Sequence, residues 1–247
     1  MTGLETIYMK MKQHYQRVDP HHETWMLWLK PNKPDNEFFE VAVGTILVQN
    51  TNWVNVDKAV ANLKARSVLS FRTLLDVPDA ELSELIRPAG FFNQKTSYLK
   101  SLANLMIAHP RSGDPPTRKV LLACKGVGNE TADSILAYCY GVASPIVGTY
   151  TRRLFARLEG DPSYLQKPYK SIQAKISSQM PNDASALGHF HACIVSHSQN
   201  LCSKISPSCG SCFLQALCAF GSRTVEDKEL GEIQSLIAPS KKNKASS

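Results

Sequence analysis

Apolar positions along the chain recur with helical rather than alternating spacing. Leu4, Ile7, Tyr8, Met11 and Tyr15 share one face of residues 4–17, the mark of an amphipathic helix. Phe38 to Lys64 begins as an apolar helix and turns polar at Gln49-Asn50-Thr51-Asn52. It then resumes helical spacing at Val56, Ala59, Val60 and Leu63. Shorter helices are predicted at 71–75, at 79–87 behind Pro78, at 93–108 with Tyr98, Leu102, Leu105 and Met106 inward, and at 117–124. Three more follow at 150–158, 169–180 and 186–200, the last placing Leu187, Phe190, Ile194 and His197 at helical spacing. Trp25 to Pro34 is apolar and then broken by Pro31 and Pro34, so it reads as a linker leading into a domain. No segment alternates convincingly with period two. The expected class is therefore all-α.

The stretch from Leu121 to Thr149 organises the rest. Lys125-Gly126-Val127-Gly128 forms a turn, and Asn129 or Thr131 is placed to cap a following helix. Ala132, Ile135, Leu136 and Cys139 give that helix one apolar face, and an extended segment then runs to Gly148. Amides at such a turn form an anion site, and in a basic chain the expected anion is a nucleic-acid phosphate. A glycine-rich turn with no ligand is the plainer alternative.

Cys202, Cys209, Cys212 and Cys218 place four thiols within seventeen residues. All-thiolate ligation suits either tetrahedral zinc or an iron–sulfur cluster, and spacing alone leaves both open. Disulfides fit poorly with a chain that shows no export segment or cleavage site in its first residues. His189, His191 and His197 at helical positions read as packing residues, and Cys124, Cys139 and Cys193 as small buried hydrophobes.

Hydrophobic residues make up 43% of the 247 and no apolar run reaches membrane-spanning length, so a soluble globular protein without a membrane partner is expected. The net charge of +7 favours a polyanionic partner. Part of that charge sits in Lys241, Lys242 and Lys244, within a Ser/Lys/Asn-rich end read as a flexible tail from 226 to 247.

The motif Leu122-x-x-x-Gly126-Val127-Gly128-x-x-Thr131-Ala132-Asp133 resembles the helix-hairpin-helix of the endonuclease III superfamily of DNA glycosylases, the HhH-GPD type. The cysteine spacing is similar to that superfamily's [4Fe-4S] loop, and Gln49-Asn50-Thr51-Asn52-Trp53 and Ile86 to Lys95 match a QNT subgroup that includes a 3-methyladenine glycosylase. The resemblance runs from about Trp25 to Cys218 and implies two helical domains with a DNA cleft between them. Residues 33–147 would form one, ending in the hairpin, while 1–32 and 148–225 would form a second that carries the cluster. It implies Trp53 as the aromatic that stacks on a flipped base, Trp28 as a second pocket wall, and Gln49 and Asn50 as wedges in the duplex. Phosphate contacts are expected from Gly126, Gly128, Lys125, Asn129 and Lys204, with Arg152 and Arg153 adding to them, and binding should weaken steeply with salt. The implied partner is double-stranded DNA with a damaged base, bound by a monomer in the cytoplasm at the nucleoid.

Two reactive positions follow from the same resemblance. The superfamily's catalytic Asp falls on Gly148, and the Schiff-base lysine of its bifunctional members, eighteen residues earlier, falls on Glu130. Loss of the lysine implies a monofunctional glycosylase. The glycine departs even from the QNT subgroup and admits three explanations: an introduced substitution, a natural relative that binds lesions without cutting, or an enzyme for alkylated bases that already carry positive charge. Little activity on neutral lesions such as uracil is expected. Glu130 is placed either as a substitute carboxylate or as an ordinary first-turn acid favoured by the helix dipole. The sequence thus supports a monofunctional DNA glycosylase for alkylated bases, or a non-catalytic lesion-binding protein on the same scaffold.

Overall fold

The structure is a computed structural model that describes residues 3–30 and 33–224. The Lys-rich tail lies outside the described residues. The described residues form twelve α-helices in chain order: α1 (Gly3–Val18), α2 (His22–Trp28), α3 (Asp35–Leu47), α4 (Trp53–Ala65), α5 (Phe71–Asp76), α6 (Asp79–Leu85), α7 (Phe92–Ala108), α8 (Arg118–Ala123), α9 (Asn129–Ser134), α10 (Thr149–Glu159), α11 (Tyr169–Gln179) and α12 (Ala184–Asn200). Among the described residues there is no strand, so the all-α class holds.

Local chemistry sets several boundaries. Asn52, Thr117 and Asp183 accept backbone N–H groups at the starts of α4, α8 and α12, and Ser70 and Thr73 form a reciprocal capping box at α5. Helix α3 buries Phe38, Phe39, Val41, Ala42, Val43, Gly44, Ile46 and Leu47, leaving little of its surface wet. The buried apolar residues fall into two clusters. One gathers α3 to α9 around α3 and extends to Ile146. The other joins α1, α10, α11 and α12 with Val147 and Leu214. The chain passes between the clusters twice, from α1 into α2 and again at Ile146–Val147, the peptide that leads into Gly148.

Three local readings change. Trp25 to Trp28 belongs to a short helix, α2, because its aromatic rings and Leu29 pack against the first cluster and hold the chain coiled. In α7 the fully buried stripe is Leu99, Leu102, Ala103 and Met106, while Tyr98 and Leu105 are half-buried at its border. Helix α9 starts after Gly128, which has no side chain to cap it, and the Asn129 amide oxygen is instead engaged by Arg118 at 2.7 Å. Beyond Ser134 the coil widens into a π-helical turn over Ile135–Cys139, all five residues buried. Such turns cluster at functional sites.

Candidate functional site

The hairpin between α8 and α9 is built on Gly126, whose φ of 83° favours glycine and whose missing side chain admits the ring of Tyr98. At Gly128 a β-carbon would meet nothing within 4 Å, so the approach to its amide is open. Lys125 is exposed beside it, its own amide donating to Ser101 Oγ at 3.3 Å. This is an accessible, cationic turn at a helix start, the arrangement that favours an anion.

The polar turn after α3 is fastened to that hairpin. Gln49 donates from Nε2 to the Gly126 carbonyl at 3.0 Å and to Thr131 Oγ1 at 3.1 Å. Its amide group is thus engaged within the protein, whereas Asn50, exposed at φ 58°, is the residue the turn presents outward. Lys95 supports the turn from beneath. It is 2% exposed and donates from Nζ to the carbonyls of Leu47, Gln49 and Ala89, each at 2.8 Å. Burial lowers its pKa to about 8.

Trp53 opens α4 directly after this turn. Its ring lies over Gly44 of α3, where a β-carbon would sit 3.0 Å from the indole, and its N–H bonds Asp57. Trp28 meets Trp53 at a centroid distance of 4.9 Å, Trp25 meets Trp28 at 5.2 Å, and Tyr138 of the π turn borders both Trp25 and Trp28. The Tyr138 hydroxyl donates to the Gly188 carbonyl and lies 2.8 Å from His191 Nδ1. Burial pulls the His191 pKa to about 4, so this wall carries no charge at neutral pH.

Around Gly148 the backbone is extended, with φ −101°, a conformation any residue adopts. What the glycine supplies is space: a β-carbon there would overlap the Glu130 side chain, with the carboxyl carbon 2.9 Å and Oε2 3.2 Å away. Glu130 keeps access to solvent but is crowded by protein, and desolvation raises its pKa while the Arg152 guanidinium partly offsets that. Arg152 itself donates from Nη1 to the carbonyls of Lys167 at 2.6 Å and Tyr164 at 3.4 Å. Arg153 is likewise engaged, with the carbonyls of Cys202 and Ser198.

Asp133 is fully buried and takes a bidentate ion pair from Arg118 at 2.9 and 3.0 Å and a bond from Ser144 Oγ at 2.7 Å. Tyr169 bonds the same carboxylate, while its hydroxyl accepts the Val147 N–H at 3.2 Å. This chain ties the peptide before Gly148 to α9. Arg118, Tyr169, Tyr138 and Lys95 escaped the sequence reading. Lys95 and Tyr138 lay inside stretches already singled out, but nothing marked either side chain as buried.

The four cysteines line one cavity with Leu154, Leu158 and His197. Arg157 grips their loop, donating to Cys202 Sγ at 3.1 Å and to the carbonyls of Cys202, Ser203 and Lys204. All seven cysteines are free thiols. Among the described residues no three His, Cys, Asp or Glu side chains converge closely enough to hold a single metal ion. Four thiols around one cavity are a donor set that all-thiolate ligation, by zinc or by an iron–sulfur cluster, can use.

Residues 43–181 match the HhH-GPD superfamily base excision DNA repair protein family. This chain belongs to that family. A protein of Methanocaldococcus jannaschii named as a DNA repair glycosylase is 37% identical over 206 residues, covering 80% of this chain and 89% of the relative. Endonuclease III of Escherichia coli is 23% identical over 202 residues, covering 82% and 90%. Among solved structures, a non-covalent endonuclease III–DNA complex aligns with a TM-score of 0.69 at 22% identity, covering 92% of this chain and 99% of that one. The Helicobacter pylori 3-methyladenine DNA glycosylase bound to 1,N6-ethenoadenine aligns with a TM-score of 0.60 at 25% identity, covering 81% and 98%. The HhH-GPD match ends before the cysteine loop. No described helix is long and apolar enough to cross a membrane.

Proposed function

We propose that this HhH-GPD protein is a monofunctional DNA glycosylase that releases alkylated bases from double-stranded DNA. The hairpin amides at Gly126 and Gly128, with Lys125 and Lys204, grip phosphates. Asn50 enters the gap that the extruded nucleotide leaves, and Trp53 and Trp28 face its base. Position 130 carries no amine, so no Schiff base forms and the strand is left intact.

The observation that supports this reading most directly is the Gln49 bridge. It makes the turn before the stacking tryptophan and the phosphate-gripping hairpin one unit, so that seating the backbone sets the register of the base. The neutral aromatic wall suits a base that carries its own positive charge, through attraction to ring faces. Cys202, Cys209, Cys212 and Cys218 would hold a [4Fe-4S] cluster. When bound, it supplies iron–thiolate bonds that close the loop, and Arg157 orients that loop so that Lys204 stays exposed.

Incubation with methylated duplex DNA tests the proposal: free methylpurines are expected in the supernatant, and Trp53→Ala should reduce their release while leaving non-specific binding intact. The competing reading, a lesion-binding protein that does not cut, is favoured only by the missing Asp at Gly148. It predicts tight binding with no base released.

A further inference from the structure

We infer that Glu130 supplies, from the first turn of α9, the carboxylate that the resemblance to endonuclease III-type glycosylases places at position 148, and that Gly148 is the space this transfer requires. The inference rests on the glycosylase reading above. Three observations carry it. The backbone at Gly148 would accept any residue, so its glycine answers to crowding, and the crowding group is the Glu130 carboxylate itself. Glu130 accepts no hydrogen bond from the protein among the described residues, unlike Asp133 three residues on, which is saturated by Arg118, Ser144 and Tyr169. Arg152 on α10 is held by two carbonyls of the segment before α11, and its positive charge favours the ionised acid. A solvent-accessible, crowded, unbonded carboxylate in the field of a guanidinium is poised for chemistry rather than for stability.

The step balances without another reagent. In an alkylated purine nucleotide the base already carries one positive charge. The bond between C1′ and the base nitrogen breaks, and its electron pair leaves with the base, which departs neutral. The charge passes to C1′ and the ring oxygen, opposite the Glu130 carboxylate. Water adds to C1′, its proton passes to Glu130 and then to solvent, and the products are free base and an abasic sugar. Gly148 therefore marks a relocation of the acid, not its loss.

Four forms test this: wild type, Glu130→Gln, Gly148→Asp, and Glu130→Ala combined with Gly148→Asp. Each is assayed for single-turnover release of N7-methylguanine from duplex DNA, with duplex binding measured alongside to register misfolding. Glu130→Gln is expected to lose about a hundredfold or more in rate with binding retained, the scale of a positioned acid–base group. Gly148→Asp should also lose rate, because two carboxylates then compete for one volume, and the double variant should recover rate over both. The acidic limb of the wild-type pH–rate profile should vanish in Glu130→Gln. Arg152 and Tyr169, which also face this carboxylate, remain in every form. A Glu130→Gln protein within about threefold of wild type, or a Gly148→Asp protein faster than wild type, overturns the inference and leaves the glycosylase reading standing. Wild-type protein that binds DNA and releases no base overturns both.

Discussion

Replacing Asp133 with alanine should destabilise the protein strongly, because it breaks a buried ion pair. Its carboxylate is wholly inaccessible and receives two bonds from Arg118, one from Ser144 and one from Tyr169. Removing one partner of a buried ion pair costs roughly 3–5 kcal/mol, because the remaining charge is stranded. Arg118 is 22% exposed and still reaches Asn129 at 2.7 Å, which places the charge part of the loss at the low end. Two stranded hydroxyls add to it, at roughly 1–3 kcal/mol each if they find no water, although the terms do not sum. In a chain of this size each kcal/mol moves Tm by about 2–4 °C, so the melt should shift down by roughly 6–20 °C. Circular dichroism against temperature reads the shift. A combined Asp133→Leu, Arg118→Met variant should recover most of it, since an apolar pair removes the stranded charge. A shift under about 3 °C for Asp133→Ala would refute the buried anchor, and with it the account of how the peptide before Gly148 is held.

Lys95 predicts a pH signature. Its folded pKa of about 8 lies below the ordinary 10.5, so between those values the unfolded chain binds more protons and stability rises with pH; Lys95→Met should flatten that rise in urea unfolding at pH 8 and pH 10. Lys125→Ala and Lys204→Ala should each weaken binding across all duplex sequences and lower the salt slope by about one, measured by anisotropy over a salt series; an unchanged slope would remove that lysine from the interface. Anaerobically purified protein should contain iron and inorganic sulfide in equal amounts, and Cys209→Ser should lose both, whereas one zinc per chain would contradict the cluster assignment.

Helical spacing made the all-α class legible because buried stripes recur wherever a helix lies half in water, as α1 shows with Leu4, Tyr8, Met11 and Tyr15. The hairpin, the QNT turn and the cysteine loop were legible because each is a local motif. What was hidden depends on tertiary approach. The π turn at Ile135–Cys139 is buried all round and offers no periodic contrast. The segment holding α2 was read as a linker because Pro31 and Pro34 beyond it suggested a break, while packing of its tryptophans on the first cluster decides its form. The eighteen-residue spacing carried by the resemblance singled out Glu130 and Gly148, but the close approach of the Glu130 carboxylate to the space at Gly148 is a tertiary fact that spacing does not contain. Asp133 stood in the hairpin motif, but its partnership with Arg118, fifteen residues earlier, was not legible.

Base release under single-turnover conditions, followed on the same duplex for both the freed base and the integrity of the strand, bears most directly on the central claim. The account predicts that wild-type protein frees N7-methylguanine and leaves a strand that breaks only on later alkaline heating. Tight binding with no freed base, or strand breakage by the protein alone, would contradict it.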